Sequence, residues 1–303
     1  MNRRNFVALS AVGLTACKTS AESMLTSTTQ DATATSGLKL SVAAYSLRSL
    51  LPNFRNDAHA KGKIQMEDFM EMATKWPVSG VELTSYFLPD PCTIEHAYRL
   101  KRHAHVLGLD ISGGAIGNNF SHAPDSPELA KQMEYTKQWI DTYAYMGVPV
   151  IRVFAGNPAK EMNKDQAVRN IIANLKTACR YAATKGMMLA MENHDFTTDI
   201  DRFLQIIESV DSPWFGANLD SGNLARTPDP YADLARIAPY AVNAQIKVVI
   251  PVNGKKEPAD LEKLIAILNQ ANYRGYVVLE YEEAADPITE VPRYLHELNK
   301  LIG

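Results

Sequence analysis

The sequence predicts a single α/β domain with the (β/α)8 barrel fold. Eight short apolar runs with strand character recur about every 30 residues, and each is followed by a stretch with helical periodicity. A length of 303 residues, 46% of them hydrophobic, suffices for one barrel of this size. The alternative is an open doubly wound sheet. It is disfavoured because no GxGxxG or P-loop turn follows an early strand.

The repeating units have definite expected bounds. The predicted strands are 38–45, 79–84, 109–113, 149–154, 187–192, 214–219, 241–247 and 275–280. The predicted helices are 66–76, 94–107, 127–146, 164–185, 199–210, 229–238, 258–270 and 286–301. Asn163 is expected to cap the fourth helix, and Thr198 to cap the fifth.

The first 37 residues have a different character from the rest of the chain. Residues 1–17 read as an export signal, with a twin-arginine-like pair at Arg3 and Arg4, a short apolar stretch and the lipobox-like sequence Leu-Thr-Ala-Cys. Cys17 would then carry a lipid anchor, although an ordinary signal peptide with an incidental cysteine is the alternative. Residues 18–37 are rich in Ser, Thr and Ala and predict a flexible tether, which leaves 38–303 for the barrel.

Composition limits the possible partners. The net charge is −3, and no basic block or stripe of basic and aromatic residues is present, which argues against a nucleic-acid partner. The export signal places the protein in the periplasm, or on a bacterial membrane that it contacts only through the lipid on Cys17.

Four late strands each end on a metal-capable side chain. These are Glu192 in MENH, Asp220 in LDSGN, Gln245 in AQIKV and Glu280 in VLEYE. The carboxyl ends of parallel barrel strands share one rim, so the four side chains are expected to meet there. Three carboxylates and one amide oxygen are hard donors, which favours one divalent ion such as Mn, Mg or Co over Zn.

Other residues near the same rim are candidates for substrate contact. The loop at 112–127 is unusually long for a strand-to-helix connection and carries Asn118, Asn119 and His122. Tyr45 follows the first strand, and Arg152 lies near the end of the fourth. Each residue also has a purely structural interpretation, in packing, in an ion pair or in the surface of a loop.

The motifs together resemble those of a known family. MENH, LDSGN and VLEYE are similar to the metal-site segments of the sugar phosphate isomerase/epimerase group, the xylose isomerase-like barrels. AYSLR at 44–48, GVEL at 80–83 and IRVFAG at 151–156 extend the likeness over about residues 38–301. The resemblance implies that Glu192, Asp220 and Glu280 are metal ligands. The sequence departs from the family pattern at Gln245, where most members have histidine.

The resemblance also implies a chemistry. In the similar epimerases the glutamates of strands five and eight bind the metal and exchange protons on opposite faces of a sugar, and Glu192 and Glu280 match them. Lys247 lies two residues after Gln245, on the same side of the strand, where it could stabilise an oxyanion or donate a proton. His194 is a candidate acid, base or substrate ligand. Glu82, on strand two, is expected to be a salt-bridge partner inside the barrel.

Three functions follow as expectations. The first is a metal-dependent isomerase or epimerase that removes a proton alpha to the carbonyl of an unphosphorylated sugar or keto-sugar, since sugar phosphates are scarce outside the cytoplasm. The second is a lyase or dehydratase that uses the same site for β-elimination from a 3-keto-glycoside or keto-sugar. It is favoured by Asn223, which replaces a histidine found in many epimerases of the group. The third is a carbohydrate-binding lipoprotein without catalysis.

Overall fold

Eight parallel strands form a closed ring in the computed structural model, which describes residues 37–55 and 57–303. The predicted signal and nearly all of the tether therefore lie outside the described residues. The barrel strands are β1 (Lys39–Ala43), β2 (Gly80–Thr84), β3 (Asp110–Ala115), β4 (Val150–Val153), β5 (Met188–Glu192), β6 (Phe215–Asp220), β7 (Ala241–Ile246) and β10 (Tyr276–Leu279). They follow chain order around the ring, and β1 pairs with both β2 and β10, which confirms the predicted barrel.

Eight α-helices lie between and after these strands in the described part of the chain. They are α1 (Met66–Ala73), α2 (Ile94–Val106), α3 (Pro127–Met146), α4 (Lys164–Thr184), α5 (Ile200–Val210), α6 (Pro230–Ile237), α7 (Leu261–Gln270) and α8 (Pro287–Ile302). Asn163 caps α4 as predicted, because its side chain accepts from the N–H groups of Asp165 and Gln166. The predicted cap of α5 is wrong by one residue, since Asp199 and not Thr198 accepts from the first turn. None of the described helices is long and apolar enough to cross a membrane.

A short antiparallel hairpin interrupts the seventh unit. It consists of β8 (Val249–Val252) and β9 (Lys255–Pro258), which lie outside the ring and precede α7. Asn253 and Gly254 form its turn, both with positive φ, a conformation that Asn and Gly adopt most readily. This hairpin was not predicted from the sequence.

The two faces of the strands have opposite character. Alternate residues such as Leu83, Leu189 and Ile246 point outward into the apolar core beneath the helices. The residues between them are polar and buried, among them Ser41, Glu82, Asn218 and Asn243. A network of buried polar side chains therefore occupies much of the barrel interior and extends toward the carboxyl ends of the strands.

Candidate functional site

An open cleft of about 380 Å³ lies at the carboxyl end of the barrel, within the range usual for small-molecule sites. Its floor includes Glu192, Glu280 and Lys247, which sit at or just beyond the ends of β5, β10 and β7. The parallel direction of the strands explains why residues almost 90 positions apart meet here.

Glu192 is buried and held on both of its oxygens. Oε2 lies 2.9 Å from Nε of Arg152, and Oε1 accepts from Nδ2 of Asn223 at 2.9 Å. Arg152 also donates from Nη1 to the carbonyl of Ile116. Burial raises the pKa of Glu192 even though Arg152 counteracts it. The Glu192 carboxyl is therefore fixed in position and has an increased tendency to carry a proton.

Lys247 connects three carboxylates. Its ammonium lies 2.5 Å from Oε2 of Glu280, 3.0 Å from Oε1 of Glu282 and 3.3 Å from Oδ2 of Asp220. Burial alone would lower the pKa of Lys247, but the surrounding carboxylates raise it well above its ordinary value. Lys247 is therefore a stable cation in this environment.

Asp220 is completely buried at the end of β6. Oδ1 accepts from the N–H of Gly222 at 2.7 Å, whereas Oδ2 makes the ion pair with Lys247 but has no hydrogen-bond donor among the described residues. Burial and the neighbouring carboxylates of Glu192 and Glu280 raise the pKa of Asp220 to about 7. Its backbone is fixed by Asn193, which accepts from the N–H and donates to the C=O of Asp220, each at 2.8 Å.

Gln245 lies one layer deeper than Lys247 and belongs to a network of amides. Its Nε2 donates to Oε1 of Glu82 at 2.6 Å, and its Oε1 accepts from Asn218 at 2.7 Å. Asn243 donates to Oε2 of Glu82 and is bonded to Asn218 as well. The predicted salt bridge of Glu82 is wrong, because these two amides bind its oxygens instead. Burial raises the pKa of Glu82 to about 7, and the amides oppose that rise.

The predicted substrate contacts lie in different places. Tyr45, Asn119 and Arg152 line the cleft, whereas His122 is not among the lining residues. The Asn119 side chain is already engaged, since its Oδ1 accepts from Ser121 and its Nδ2 donates to the carbonyl of Asn157. The Tyr45 hydroxyl, by contrast, makes no hydrogen bond to any residue that the structure describes.

His194 lies at the edge of the cleft, two residues after Glu192. Its Nδ1 is 3.1 Å from Oδ2 of Asp195, and its ring lies 4.6 Å from the ring of Phe154. Asn157 donates to the same Asp195 oxygen at 2.8 Å, and Asp195 has a positive φ of 49°. This unusual backbone conformation places the carboxylate beside the imidazole, at ion-pair distance but without a hydrogen bond to Nδ1 among the described residues.

Several cleft residues were not predicted. Glu282 is two positions after Glu280 in the same run, so the strand period was a signal for it. Tyr86 and Arg55 form the outer wall, with the guanidinium 4.6 Å from the ring centroid. No short motif marks these two residues, because Arg55 reaches the cleft from a loop and Tyr86 from a single 3-10 turn after β2, and only the fold defines their course.

The residues fit a divalent ion by donor type and charge. Glu192, Asp220 and Glu280 are buried oxygen donors, and Oδ2 of Asp220 has no hydrogen bond to the residues that the structure describes. As they stand in the described chain, no three Asp, Glu, His or Cys side chains are arranged as ligands of one ion. Arg152 and Lys247 hold the carboxylates instead. Metal ligation by these residues and Gln245 stays a prediction.

Comparisons with known proteins agree with the fold. The 3-keto-D-glucoside 4-epimerase of E. coli in its apo form covers 87% of this chain and 99% of its own, at 15% identity and a TM-score of 0.67. The IOLI protein, solved with a bound zinc atom, covers 87% and 96% at 13% identity and a TM-score of 0.70. D-psicose 3-epimerase of Clostridium cellulolyticum H10, solved with D-tagatose, covers 88% and 99% at 13% identity and a TM-score of 0.68.

Sequence comparison gives a family but no close relative. No curated protein matches the chain. The family model described as a xylose isomerase-like TIM barrel matches residues 31–298, which is most of the chain and includes every barrel strand. The chain therefore belongs to the xylose isomerase-like TIM barrel family.

Proposed function

We propose that this protein is a divalent-metal-dependent isomerase or epimerase of an unphosphorylated sugar or keto-sugar. The observation that carries the proposal is the pairing of two glutamates in one cleft, each with a cation at one oxygen: Glu192 with Arg152, and Glu280 with Lys247. Two fixed carboxyls on different strands can remove a proton from a carbon and return one to it.

The side chains divide the work as follows. Glu280 is the base that accepts the proton alpha to the carbonyl, and the Lys247 ammonium, which lines the same cleft, stabilises the negative charge that develops on the substrate oxygen. Glu192 returns a proton, for which its raised pKa is suited. A divalent ion held by Glu192, Asp220, Glu280 and Gln245 would supply polarisation of the carbonyl.

Deuterium exchange tests this assignment directly. Metal-loaded protein is incubated in deuterated water with ketohexoses and 3-keto-glucosides, and the sugars are analysed by mass spectrometry and chromatography. We expect deuterium incorporation and a new isomer, with both reduced at least about 100-fold by Glu192→Gln and by Glu280→Gln. Glu283→Gln is the matched control, since Glu283 is near the cleft but pairs with the exposed Lys256.

The absence of exchange and of any isomer across the panel would refute the proposal. If calorimetry then showed sugar binding that Glu280→Gln leaves unchanged, the protein would be a carbohydrate-binding lipoprotein without catalysis.

A lyase is the second candidate, favoured by the position of His194. The imidazole lies in the cleft with Asp195 at its Nδ1, so it can protonate a leaving oxygen. In that reaction Glu280 takes the alpha proton, the electron pair forms a carbon–carbon double bond, and the C–O bond at the beta carbon breaks. Release of an aglycone and an unsaturated keto-sugar from a 3-keto-glycoside, abolished by His194→Gln, would favour this function over epimerisation.

Export is also proposed, on the strength of Arg3, Arg4 and the Leu-Thr-Ala-Cys sequence. It supports an unphosphorylated substrate. Mass spectrometry of the mature amino terminus should find a lipid on Cys17, and Cys17→Ala should move the protein from the membrane fraction to the soluble fraction. An unprocessed amino terminus in the cytoplasmic fraction would contradict export.

A further inference from the structure

The ammonium of Lys247 occupies a built position among the acidic groups of the site. Lys247 as a whole residue is only 6% exposed, and its backbone N–H donates to Oγ of Ser221 at 2.8 Å. The aliphatic stem passes directly over Gly222, where a Cβ atom would lie 2.7 Å from Cγ of Lys247. Gly222 thus leaves the space through which the lysine reaches the carboxylates.

Two of the three carboxylates that Lys247 contacts are predicted metal ligands. We infer that Lys247 is a resident cation that competes with the divalent ion for Asp220 and Glu280. The inference rests on the proposed metal site. The ammonium lies 2.5 Å from the Glu280 carboxylate and 3.3 Å from that of Asp220. An ion bound to the same two oxygens would be in close contact with the ammonium, and like charges at that separation repel strongly.

The structure provides a place to which the displaced ammonium can move. Glu282 already lies 3.0 Å from Nζ and is 38% exposed, so it can remain a partner when the other two are lost. A second cavity of about 120 Å³ adjoins the lysine and is lined also by Glu282, Gly222 and Val248. Lys247 can therefore exchange its buried partners for Glu282 without disturbing the barrel strands.

This arrangement has a consequence for the protein without a bound ion. Asp220, Glu280 and Glu192 would repel one another in a buried space if they had no counter-charge. Lys247 keeps Asp220 and Glu280 in position until the ion arrives. The affinity for the ion is then lower than the carboxylates alone would give, because part of the binding free energy is used to displace the ammonium.

Manganese binding measures this competition independently of activity. The full-length protein is freed of metal with a chelator and titrated with MnCl2, followed by calorimetry and by the electron paramagnetic resonance signal of free Mn²⁺. We expect Lys247→Met to bind Mn²⁺ at least about tenfold more tightly than the unmodified protein. Lys256→Met is the matched control, since it removes an equal charge from the exposed neighbouring hairpin and should change the affinity less than twofold.

A second variant identifies the destination of the ammonium. Glu282→Gln should weaken Mn²⁺ binding in the unmodified background and have a much smaller effect in the Lys247→Met background. Thermal melting checks that each variant folds, and Mn²⁺ should raise the melting temperature of Lys247→Met more than that of the unmodified protein.

The possible results separate the two proposals. Equal or weaker Mn²⁺ binding by Lys247→Met would overturn the competition while leaving a metal-dependent enzyme in place. An equal effect of Glu282→Gln in both backgrounds would make Glu282 a ligand and would also overturn the exchange of partners. Absence of Mn²⁺ binding in every variant would overturn this inference, whereas the proposed proton transfer would fail only if deuterium exchange were also absent.

Discussion

Removing Arg152 from the lining of the cleft should show how strongly the stability of the site depends on buried charge pairs. Arg152 is 5% exposed and Glu192 is 4% exposed, and their charged atoms lie 2.9 Å apart. Arg152→Met keeps most of the aliphatic volume and removes the guanidinium, whose central carbon lies 4.0 Å from the centroid of the Phe154 ring. The substitution leaves the Glu192 carboxylate buried without a counter-ion and the Ile116 carbonyl without its donor.

The expected cost follows from that loss. Breaking a buried ion pair by removal of one partner destabilises proteins by about 3–5 kcal/mol. Urea unfolding at 25 °C and pH 8 in the presence of a chelator should therefore show this decrease in the free energy of unfolding. The double variant Arg152→Met/Glu192→Gln should recover about 2–3 kcal/mol of it, because a neutral amide has no charge to compensate.

The pH dependence gives an independent check. Burial raises the pKa of Glu192 in the folded protein, and loss of Arg152 raises it further. The penalty is full where Glu192 is ionised and decreases as the pH falls through its folded pKa, so Arg152→Met should be less destabilised at pH 5 than at pH 8. Arg293→Met is the control, since this exposed arginine also lies over a tyrosine and pairs with a glutamate. It should cost less than about 1 kcal/mol. A similar small cost for Arg152→Met, or no change with pH, would refute the reasoning.

Three further predictions concern the barrel around the site. In urea unfolding, Gly156→Ala should destabilise the protein more than Gly186→Ala. Both glycines have positive φ, which costs an alanine about 1–2 kcal/mol, but a Cβ atom at Gly156 would also lie only 2.0 Å from Oδ1 of Asn119. Equal losses of stability would contradict this. The free energy of unfolding of Glu82→Gln, relative to that of the unmodified protein, should rise by about 3 kcal/mol between pH 5 and pH 9. The reason is that Glu82 has a pKa of about 7 in the folded protein against an ordinary 4.5, so its ionisation destabilises the fold. A difference that stays constant with pH would disprove this. Asn193→Ala should lower the free energy of unfolding by about 2–4 kcal/mol and slow deuterium incorporation into the sugar, since it removes three hydrogen bonds beneath the cleft. An unchanged rate of incorporation would contradict a positioning role for Asn193.

The barrel could be predicted almost entirely from the sequence. The predicted helix 127–146 coincides with α3, because Ser126 and Pro127 mark its start and Gly147, with φ of 80°, its end. The hairpin at Val249–Pro258 was missed although Asn253 and Gly254 are the strongest short hairpin signal. Its second strand, Lys255–Pro258, is charged and fully exposed, so it has no apolar alternation from which a strand could be predicted.

The sequence predicted that several candidate residues meet at one end of the barrel, but not which contacts they make. Strand period places Gln245 and Lys247 on the inner face, and both lie there. Which partners the two side chains reach depends on their length. The longer side chain of Lys247 extends to Glu280, whereas the shorter side chain of Gln245 is hydrogen-bonded to Glu82 on β2. The sequence contains no information on such cross-barrel pairs without the register of the ring.

The amide network gives a physical reason for glutamine at this position. Glu82 accepts two hydrogen bonds, so it requires donors on β7, and Gln245 supplies one through Nε2. That bond fixes which end of the amide is oxygen, and it directs Oε1 toward the neighbouring strand, where Asn218 uses one of its two lone pairs. The remaining lone pair is a neutral, hard donor. In the proposed metal site, whose ligands are all oxygens, this orientation of Gln245 would disfavour zinc relative to Mn or Mg. Glu82, through its hydrogen bond with Nε2, would then influence the choice of metal without touching the ion.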